Sequence, residues 1–334
     1  MMAVAALAAC TKSEVAFEQP DAIGFQVVTG KMTKAAVTDN VYPEALNMYV
    51  FAMTETDDEA ANTTADYLKN AEFAKVLVTN GQNLWGGWLN DAAYPYYWPN
   101  VKKLYFAGVS KSGNVNNGAT PTYNDGTITI PGYQPGVGTT ALGDNDLMWF
   151  PTTEESYGKG TVSVPVVMKH ACSWITVKMA GDEWTANRYT ITDIHIEGLT
   201  TKGDVALNTA AAWTLSKDDA DKNKTFSVYS NTTGKVLSTT ATEVGFENIV
   251  NNTVVLPEQV PGTLSITYHF VSQAGEKIEE TVTGSLKFDG EATWVAGTHY
   301  IYTVTITASQ ILIAPTVETW TPSPAEGGHG VTVQ

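Results

Sequence analysis

Apolar and polar residues alternate along most of this chain with the period of two that is typical of β-strands. Residues 264–270 (LSITYHF) and 300–306 (YIYTVTI) show the alternation most clearly, and each predicts a strand with one buried face. Residues 46–53 (LNMYVFAM) are apolar at both parities, which predicts a central strand covered on both faces. The amino-acid composition then changes towards Asp, Glu, Ala and Asn, and residues 66–78 in this part of the chain are predicted to form one short helix.

Residues 162–179 (VSVPVVMKHACSWITVKM) carry the strongest strand pattern and lie near the middle of the chain. Their apolar positions change parity near Ser173 and Trp174, which predicts one long strand interrupted by a bulge. We interpret it as the first long strand of a second domain. Before it, residues 110–143 are rich in Gly, Asn and Pro and predict a loop with one small strand at 127–130.

Turn signals between these strands favour antiparallel pairing over a parallel sheet. One such signal, at residues 231–234, predicts a hairpin. The predicted fold is therefore all-β, with two tandem antiparallel β-sandwich domains and a minor helix. The predicted divisions are a signal segment at 1–10, sandwich domains at 11–160 and 161–320, and a C-terminal tail at 321–334.

Composition and charge narrow the functional classes. The chain has 334 residues, of which 43% are hydrophobic and 16% are charged, and its net charge is −16. A nucleic-acid-binding surface needs clustered Lys and Arg, and the sole arginine here is Arg188. We therefore expect no nucleic-acid partner.

The two cysteines lie in different surroundings and are not expected to pair. Cys10 ends the apolar run MMAVAALAAC, and residues 7–10 match the bacterial lipobox, in which the cysteine is acylated. The run is far too short to span a bilayer, and acyl chains on Cys10 would attach the protein to the outer membrane. The alternative is a secretory signal that is cleaved without lipid attachment. Cys172 is interpreted as a small, buried core residue.

No pattern in the sequence indicates catalysis. The five histidines are scattered and form no His-Glu-x-x-His motif, so we predict no metal, no cofactor and no enzyme activity. Trp88 and Trp98 belong to an aromatic segment that offers a sugar-stacking surface. The alternative is that these two side chains pack inside the first domain.

Several short motifs, taken in order, resemble the fimbrillins of Bacteroidales-type pili. They are the lipobox, IGF at 23–25 followed by TKA at 33–35, YWP at 97–99, LYFA at 104–107, DLM at 146–148, residues 168–179 with His170, LPEQ at 256–259, WVAGTHYIY at 294–302, and Trp320. They extend over nearly the whole chain, and their order carries more information than any one of them.

The resemblance implies two transthyretin-like β-sandwich domains in a lipoprotein precursor that is exported to the outer membrane. In that family a protease removes the first strand, and an extended strand from a neighbouring subunit fills the groove. Carried onto this chain, the displaced strand contains Ile23, Phe25 and Val27, and cleavage falls between Lys34 and Ala35, although the family has an arginine where Lys34 stands. The implied donor-strand residues are Ile311, Ile313, Val317, Val331 and Val333.

Two functions follow from these observations. The first is a fimbrillin-like subunit (shaft, anchor or tip) of an adhesive fimbria at the cell surface, with other pilin subunits as partners. The second is a lipid-anchored surface protein that binds glycans, with Trp88 and Trp98 as the stacking residues. Host or bacterial surface glycans or proteins are the expected binding partners outside the fimbria.

Overall fold

The described part of the chain consists of β-strands and their connections. A computed structural model describes residues 23–29, 47–55, 64–75, 88–89, 96–98, 103–135, 146–156, 164–243, 253–287 and 292–319. Its first strands are β1 (Phe25–Thr29), β2 (Met48–Glu55), β3 (Thr64–Lys75), β4 (Trp88–Leu89), β5 (Lys103–Ser110), β6 (Thr122–Asn124), β7 (Thr127–Tyr133), β8 (Met148–Ser156) and β9 (Val164–His170). The others are β10 (Ser173–Gly181), β11 (Thr190–Leu199), β12 (Gly203–Leu207), β13 (Ala211–Leu215), β14 (Lys224–Val236), β15 (Thr242–Glu243), β16 (Thr253–Val255), β17 (Thr263–Val271), β18 (Lys277–Ser285), β19 (Thr298–Ile306) and β20 (Ile311–Thr319).

Within the described residues these strands form four sheets, as expected for tandem β-sandwich domains. Seven strands close into a barrel in the order β1-β4-β3-β2-β5-β8-β9. Two sheets form the C-terminal sandwich: β15-β10-β19-β20, with β16 also on β10, and β14-β11-β17-β18. The fourth sheet, β13-β12-β7-β6, combines strands from both halves of the chain, and we call it the bridging sheet. The predicted all-β fold class is confirmed.

Strand β2 has the two buried faces that its apolar pattern predicts. Met48 and Val50 lie in the barrel core with Phe106, whereas Phe51 and Met53 lie in a second cluster outside the barrel. That second cluster also contains apolar residues of the bridging sheet, namely Ile128, Ile130, Val205, Leu207 and Trp213. The bridging sheet therefore covers the outer face of the barrel at β2.

The helix predicted at 66–78 is wrong, because Thr64–Lys75 form strand β3. This strand pairs antiparallel with β2 through two register shifts and with β4 near its end. Helix propensity is a weak preference, and a partner strand that offers a full ladder of hydrogen bonds overrides it.

The single bulged strand predicted at 162–179 is also wrong. The stretch divides into β9 and β10, because its two apolar parities face different cores. Val164 and Val166 are buried in the barrel, whereas Ile175 and Val177 are buried in the C-terminal sandwich. The change of parity therefore marks the passage from one sheet to another.

The hairpin signal at 231–234 produces an irregularity within one long strand, β14. The side-chain oxygen of Asn231 accepts hydrogen bonds from the backbone N–H groups of Thr233 (2.9 Å) and Gly234 (3.4 Å). This local turn shifts the register of β14 against β11 between the pairs Ile191–Lys235 and Asp193–Ser230. The predicted hairpin is therefore wrong, although the turn chemistry at Asn231 is real.

Candidate functional site

Strand β1 closes the barrel and is the element on which the candidate site depends. It runs parallel to β9 over five residue pairs, from Phe25–Val164 to Thr29–Met168. On its other side it pairs with β4 at a single position, Phe25–Trp88. Just before the strand, the Ile23 N–H donates to the Tyr96 carbonyl (2.7 Å), and the Val164 N–H donates to the Gly24 carbonyl (2.8 Å). Most of the described backbone pairing of β1 is therefore with one strand.

The side chains of Ile23 and Phe25 are fully buried in the barrel. Both have 0% exposure, and burying a side chain of this kind contributes about 1.5–3 kcal/mol. The Phe25 ring meets Phe106 edge-on, with centroids 5.3 Å apart, and lies 6.2 Å from Phe150. Val27 pairs with Val166 through the backbone, and its side chain lies outside the described residues. Removal of β1 would thus open an apolar groove beside β9.

That groove would open onto the apolar core that Ile23 and Phe25 share with the other strands of the barrel. The core residues of β2, β5, β8 and β9 include Met48, Val50, Ala52, Leu104, Phe106, Met148, Phe150, Val164, Val166 and Met168. Strand β9 would expose its backbone along the groove, since β8 pairs with it only at Lys169 and His170 among the described residues. An exposed strand edge next to apolar pockets is a typical site for binding an extended peptide.

The predicted donor residues Ile311, Ile313 and Val317 lie on β20, at the edge of its sheet. All nine residues of β20 pair antiparallel with β19. Ile311 and Ile313 pack against the core of the C-terminal sandwich, whereas Val317 is 44% exposed. Donation of β20 to another subunit would require this ladder to be broken.

Other residues singled out from the sequence lie elsewhere. Cys10, Lys34, Ala35, Val331 and Val333 are outside the described residues, as is the side chain of Trp88.

Trp98 belongs to the barrel core and is not a surface residue. Its side chain is 6% exposed and its ring meets Phe106 edge-on at 5.7 Å. A sugar ring would need an open indole face. The burial of Trp98 therefore favours the packing role over sugar stacking.

A buried polar network between β5, β8 and β9 was not anticipated from the sequence. Asp146 pairs with His170 through Oδ2 and Nδ1. Nearby, Ser112 Oγ donates to the Asp146 carbonyl (2.5 Å), and the Met148 N–H donates to Ser110 Oγ (2.9 Å). Burial raises the pKa of the Asp146 carboxyl, and the neighbouring His170 opposes that shift. The individual residues gave no signal of this pairing, which depends on how β8 and β9 meet.

Cys172 lies near the Asp146 carboxylate, in surroundings that do not favour a reactive thiolate. Cys172 is fully buried, and burial raises the pKa of its thiol well above the ordinary value, whereas a nucleophilic cysteine needs a lowered pKa. The burial of Cys172 confirms its predicted place in the core. In the described part of the chain, no three or more His, Cys, Asp or Glu side chains are grouped so that they could hold a metal ion. The same residues contain no helix long and apolar enough to cross a membrane.

Comparisons with known proteins point to one family. The sequence model of the fimbrillin-like family matches residues 33–320. No curated protein is similar enough in sequence to match this chain.

Solved structures share the fold along nearly the entire chain. A candidate cell adhesion protein from Bacteroides uniformis is 16% identical, has a TM-score of 0.54, and covers 90% of this chain and 98% of its own. A fimbrial protein from Bacteroides vulgatus is also 16% identical, with a TM-score of 0.52 and coverage of 90% and 100%. A candidate cell adhesion protein from Bacteroides ovatus is 11% identical, with a TM-score of 0.52 and coverage of 91% and 99%. At these identities the likeness concerns the fold.

Proposed function

The chain belongs to the fimbrillin-like family, and from this premise we propose that it is a structural subunit of a cell-surface fimbria, with other subunits of the same kind as partners. The like-folded fimbrial protein from Bacteroides vulgatus supports this assignment. The full burial of Cys172 and the low exposure of the Asp146 and His170 side chains support a structural rather than a catalytic role.

The proposed assembly step is an exchange of β1 for an extended strand of a neighbouring subunit. The observation that carries it is the placement of β1: Phe25 and the preceding Ile23 are fully buried, but the longest described ladder of the strand is with β9 alone. Loss of this strand exposes both the apolar pocket and the backbone of β9. The incoming strand restores the hydrogen bonds and refills the pocket, which makes association favourable and directional.

The donor comes from the C-terminal part of the chain, either from residues 311–317 or from Val331 and Val333. Strand β20 would lose nine paired residues if it left its own sheet. A donor that contains Val331 and Val333 avoids that cost, so this segment is the favoured donor.

The proposed maturation begins with acylation of Cys10 and export to the outer membrane, followed by cleavage between Lys34 and Ala35. The residues between Cys10 and Lys34 include all of β1, so this cleavage separates the strand from the rest of the subunit. If the chain is instead an anchor subunit, we expect it to keep the acylated Cys10 and, with it, β1.

The N-terminus of the mature protein tests the proposal in the native cell. Fimbriae are sheared from the cells, and the subunit is analysed by N-terminal sequencing and intact mass. A start at Ala35 is expected for a polymerising subunit. A start at an acylated Cys10 would contradict removal of the strand.

Three recombinant chains test the assembly step. The chain 11–334 retains β1, the chain 35–334 has an open groove and a donor, and the chain 35–319 has an open groove without residues 320–334. Only the chain 35–334 should form oligomers, detected by light scattering and as bands that resist detergent. Oligomers of the chain 35–319 would identify β20 as the donor, and monomeric behaviour of all three chains would contradict strand exchange.

A further inference from the structure

The Phe25 ring of β1 occupies a fully buried pocket inside the barrel. Phe25 has 0% exposure, and the Phe106 ring meets it edge-on at 5.3 Å. Trp98 in turn meets Phe106 edge-on at 5.7 Å, and Phe150 lies 6.2 Å from Phe25. The pocket is therefore shaped by aromatic rings that hold one another in place, and edge-to-face contacts of this kind add to the energy of burial alone.

Gly108 on β5 fixes one wall of this pocket. A Cβ atom at position 108 would lie 2.2 Å from Cε1 and 2.6 Å from Cζ of Phe150. The Phe150 ring thus occupies the space that any other residue at position 108 would fill. The absence of a side chain at Gly108 therefore allows the Phe150 ring to lie beside Phe25.

Backbone hydrogen bonds set the register of whatever strand fills the groove. The Tyr96 carbonyl accepts from the Ile23 N–H, and the Val164 N–H donates to the Gly24 carbonyl. A strand held by these two groups places one side chain at the buried Ile23 position and the side chain two residues later in the Phe25 pocket.

We propose that the Phe25 pocket selects the donor strand, and that it accepts an extended segment carrying a phenylalanine-sized aromatic side chain two residues after an aliphatic one. This inference rests on the proposed strand exchange. A smaller side chain would leave part of the pocket empty, and such a cavity costs free energy because the walls relax only partly.

The chain's own C-terminal segments fit this pocket poorly. The candidate donor residues Ile311, Ile313, Val317, Val331 and Val333 are all aliphatic. Trp320 is the sole aromatic residue after β20, and its neighbours at a spacing of two are Glu318 and Pro322. One of these would have to occupy the fully buried Ile23 position, and Glu318 there would be a charge without water. A segment with an aromatic residue at this place would therefore bind the groove more tightly than the chain's own segments, which would leave part of the pocket unfilled.

Peptide binding to the opened groove tests the pocket directly. The full chain, with a specific protease site inserted at residue 34, is folded with β1 in place and then cleaved, which avoids the need to fold a chain without β1. Displacement of the cleaved segment by labelled peptides is followed by fluorescence anisotropy. The peptides are 22–30 (AIGFQVVTG) unchanged, with Phe25→Ala, and with Gln26→Ala as a matched control.

The Phe25→Ala peptide should bind at least about 100-fold more weakly than the unchanged peptide. The Gln26→Ala peptide should bind within about threefold of it. Peptides 311–319 and 329–334 of this chain should bind more weakly than the unchanged peptide, and Val333→Phe in the latter should improve its binding at least about tenfold.

Different results would overturn pocket selection and strand exchange. Equal binding of the unchanged and Phe25→Ala peptides, or no gain from Val333→Phe, would overturn pocket selection and leave strand exchange intact. If the unchanged peptide itself did not enter the groove, strand exchange would be overturned, and pocket selection with it.

Discussion

Gly108 is the residue at which a single added carbon should have the clearest effect on the barrel. The Cβ of Gly108→Ala would overlap the Phe150 ring at 2.2 Å, and that ring is fully enclosed. Overpacking of a closed core typically costs 1–3 kcal/mol. We expect Gly108→Ala to lower the free energy of unfolding by about 2 kcal/mol, measured by urea denaturation.

Gly284→Ala on β18 is the matched control for this substitution. Its Cβ would lie 2.5 Å from Cδ1 of Ile313, the end of a flexible side chain on the partly exposed strand β20. Rotation of the Ile313 side chain relieves that contact, so Gly284→Ala should lower the free energy of unfolding by less than about 1 kcal/mol. Equal losses for the two variants would contradict the rigid placement of Phe150.

His299 on β19 should make the fold sensitive to acid. Its ring stacks on Trp174 with centroids 3.6 Å apart and shares a 2.8 Å hydrogen bond with the Thr176 hydroxyl. Burial, with a smaller effect from the positive charge of Lys178, lowers the pKa of His299 to about 4. Because the unfolded chain takes up a proton near the ordinary pKa of about 6.5, this contribution is present above pH 6.5 and is lost as the pH falls towards 4.

Because of His299, the free energy of unfolding should fall by on the order of 3 kcal/mol between pH 6.5 and pH 4. This fall is measured by unfolding in urea at a series of pH values. His299→Gln should flatten this part of the curve. An unaltered curve in His299→Gln would contradict the assignment.

The sequence predicted the burial of a single residue better than it predicted which side chains pair with each other. The burial of Cys172 follows from its apolar strand and is confirmed. The pairing of Asp146 with His170 could not be predicted, because it requires that the start of β8 lies beside the end of β9. Neither residue carries that information in its own neighbourhood.

At the scale of elements, alternation predicted strands well wherever one face is buried. Strands β17 and β19 lie at the predicted positions, and their alternate residues Leu264, Ile266, Tyr300 and Tyr302 belong to one core. The errors arose where local preference and tertiary pairing disagree. Thr64–Lys75 have helix-favouring residues but are paired with β2, and only the partner strand decides between the two conformations.

Trp213 on β13 should couple the bridging sheet to the connection between β9 and β10. Its indole N–H donates to the Ala171 carbonyl at 2.7 Å, and its ring meets Tyr133 at 5.7 Å. Trp213→Phe removes the donor and leaves a buried carbonyl with a lost partner, which typically costs 1–3 kcal/mol. We expect a loss of about 2 kcal/mol in the free energy of unfolding.

Trp184→Phe provides the matched control, because Trp184 is 66% exposed. This substitution should change the free energy of unfolding by no more than about 0.5 kcal/mol. Thermal unfolding followed by circular dichroism and unfolding in urea should both rank Trp184→Phe as more stable than Trp213→Phe. A negligible effect of Trp213→Phe would show that the bridging sheet does not depend on this contact.

At the scale of the whole molecule, the two halves of the chain share more structure than the sequence suggested. Residues 110–143 were predicted to be mostly loop, yet β6 and β7 lie there and pair with β12 and β13 from the second half. Their partners lie far along the chain, and no local pattern identifies such a pairing. The domain division at residue 160 remains a prediction.

The bridging sheet leads us to expect one unfolding transition rather than two. A single buried cluster contains Phe51 and Val109 of the barrel, Ile130 and Val205 of the bridging sheet, and Trp174 of the C-terminal sandwich. Unfolding either half would expose this shared cluster, at roughly 25 cal/mol for each Å² of apolar surface. The two halves should therefore lose their structure together.

In urea, the tryptophan fluorescence and far-ultraviolet circular dichroism of the chain 11–334 should give coincident transitions, with calorimetric and van't Hoff enthalpies that agree. Replacement of the apolar residue Ile130 by Asp, which would place an unpaired charge in the shared cluster, should separate the transition into two. Two transitions already present in the unaltered chain would mean that the bridging sheet is too weak to couple the halves.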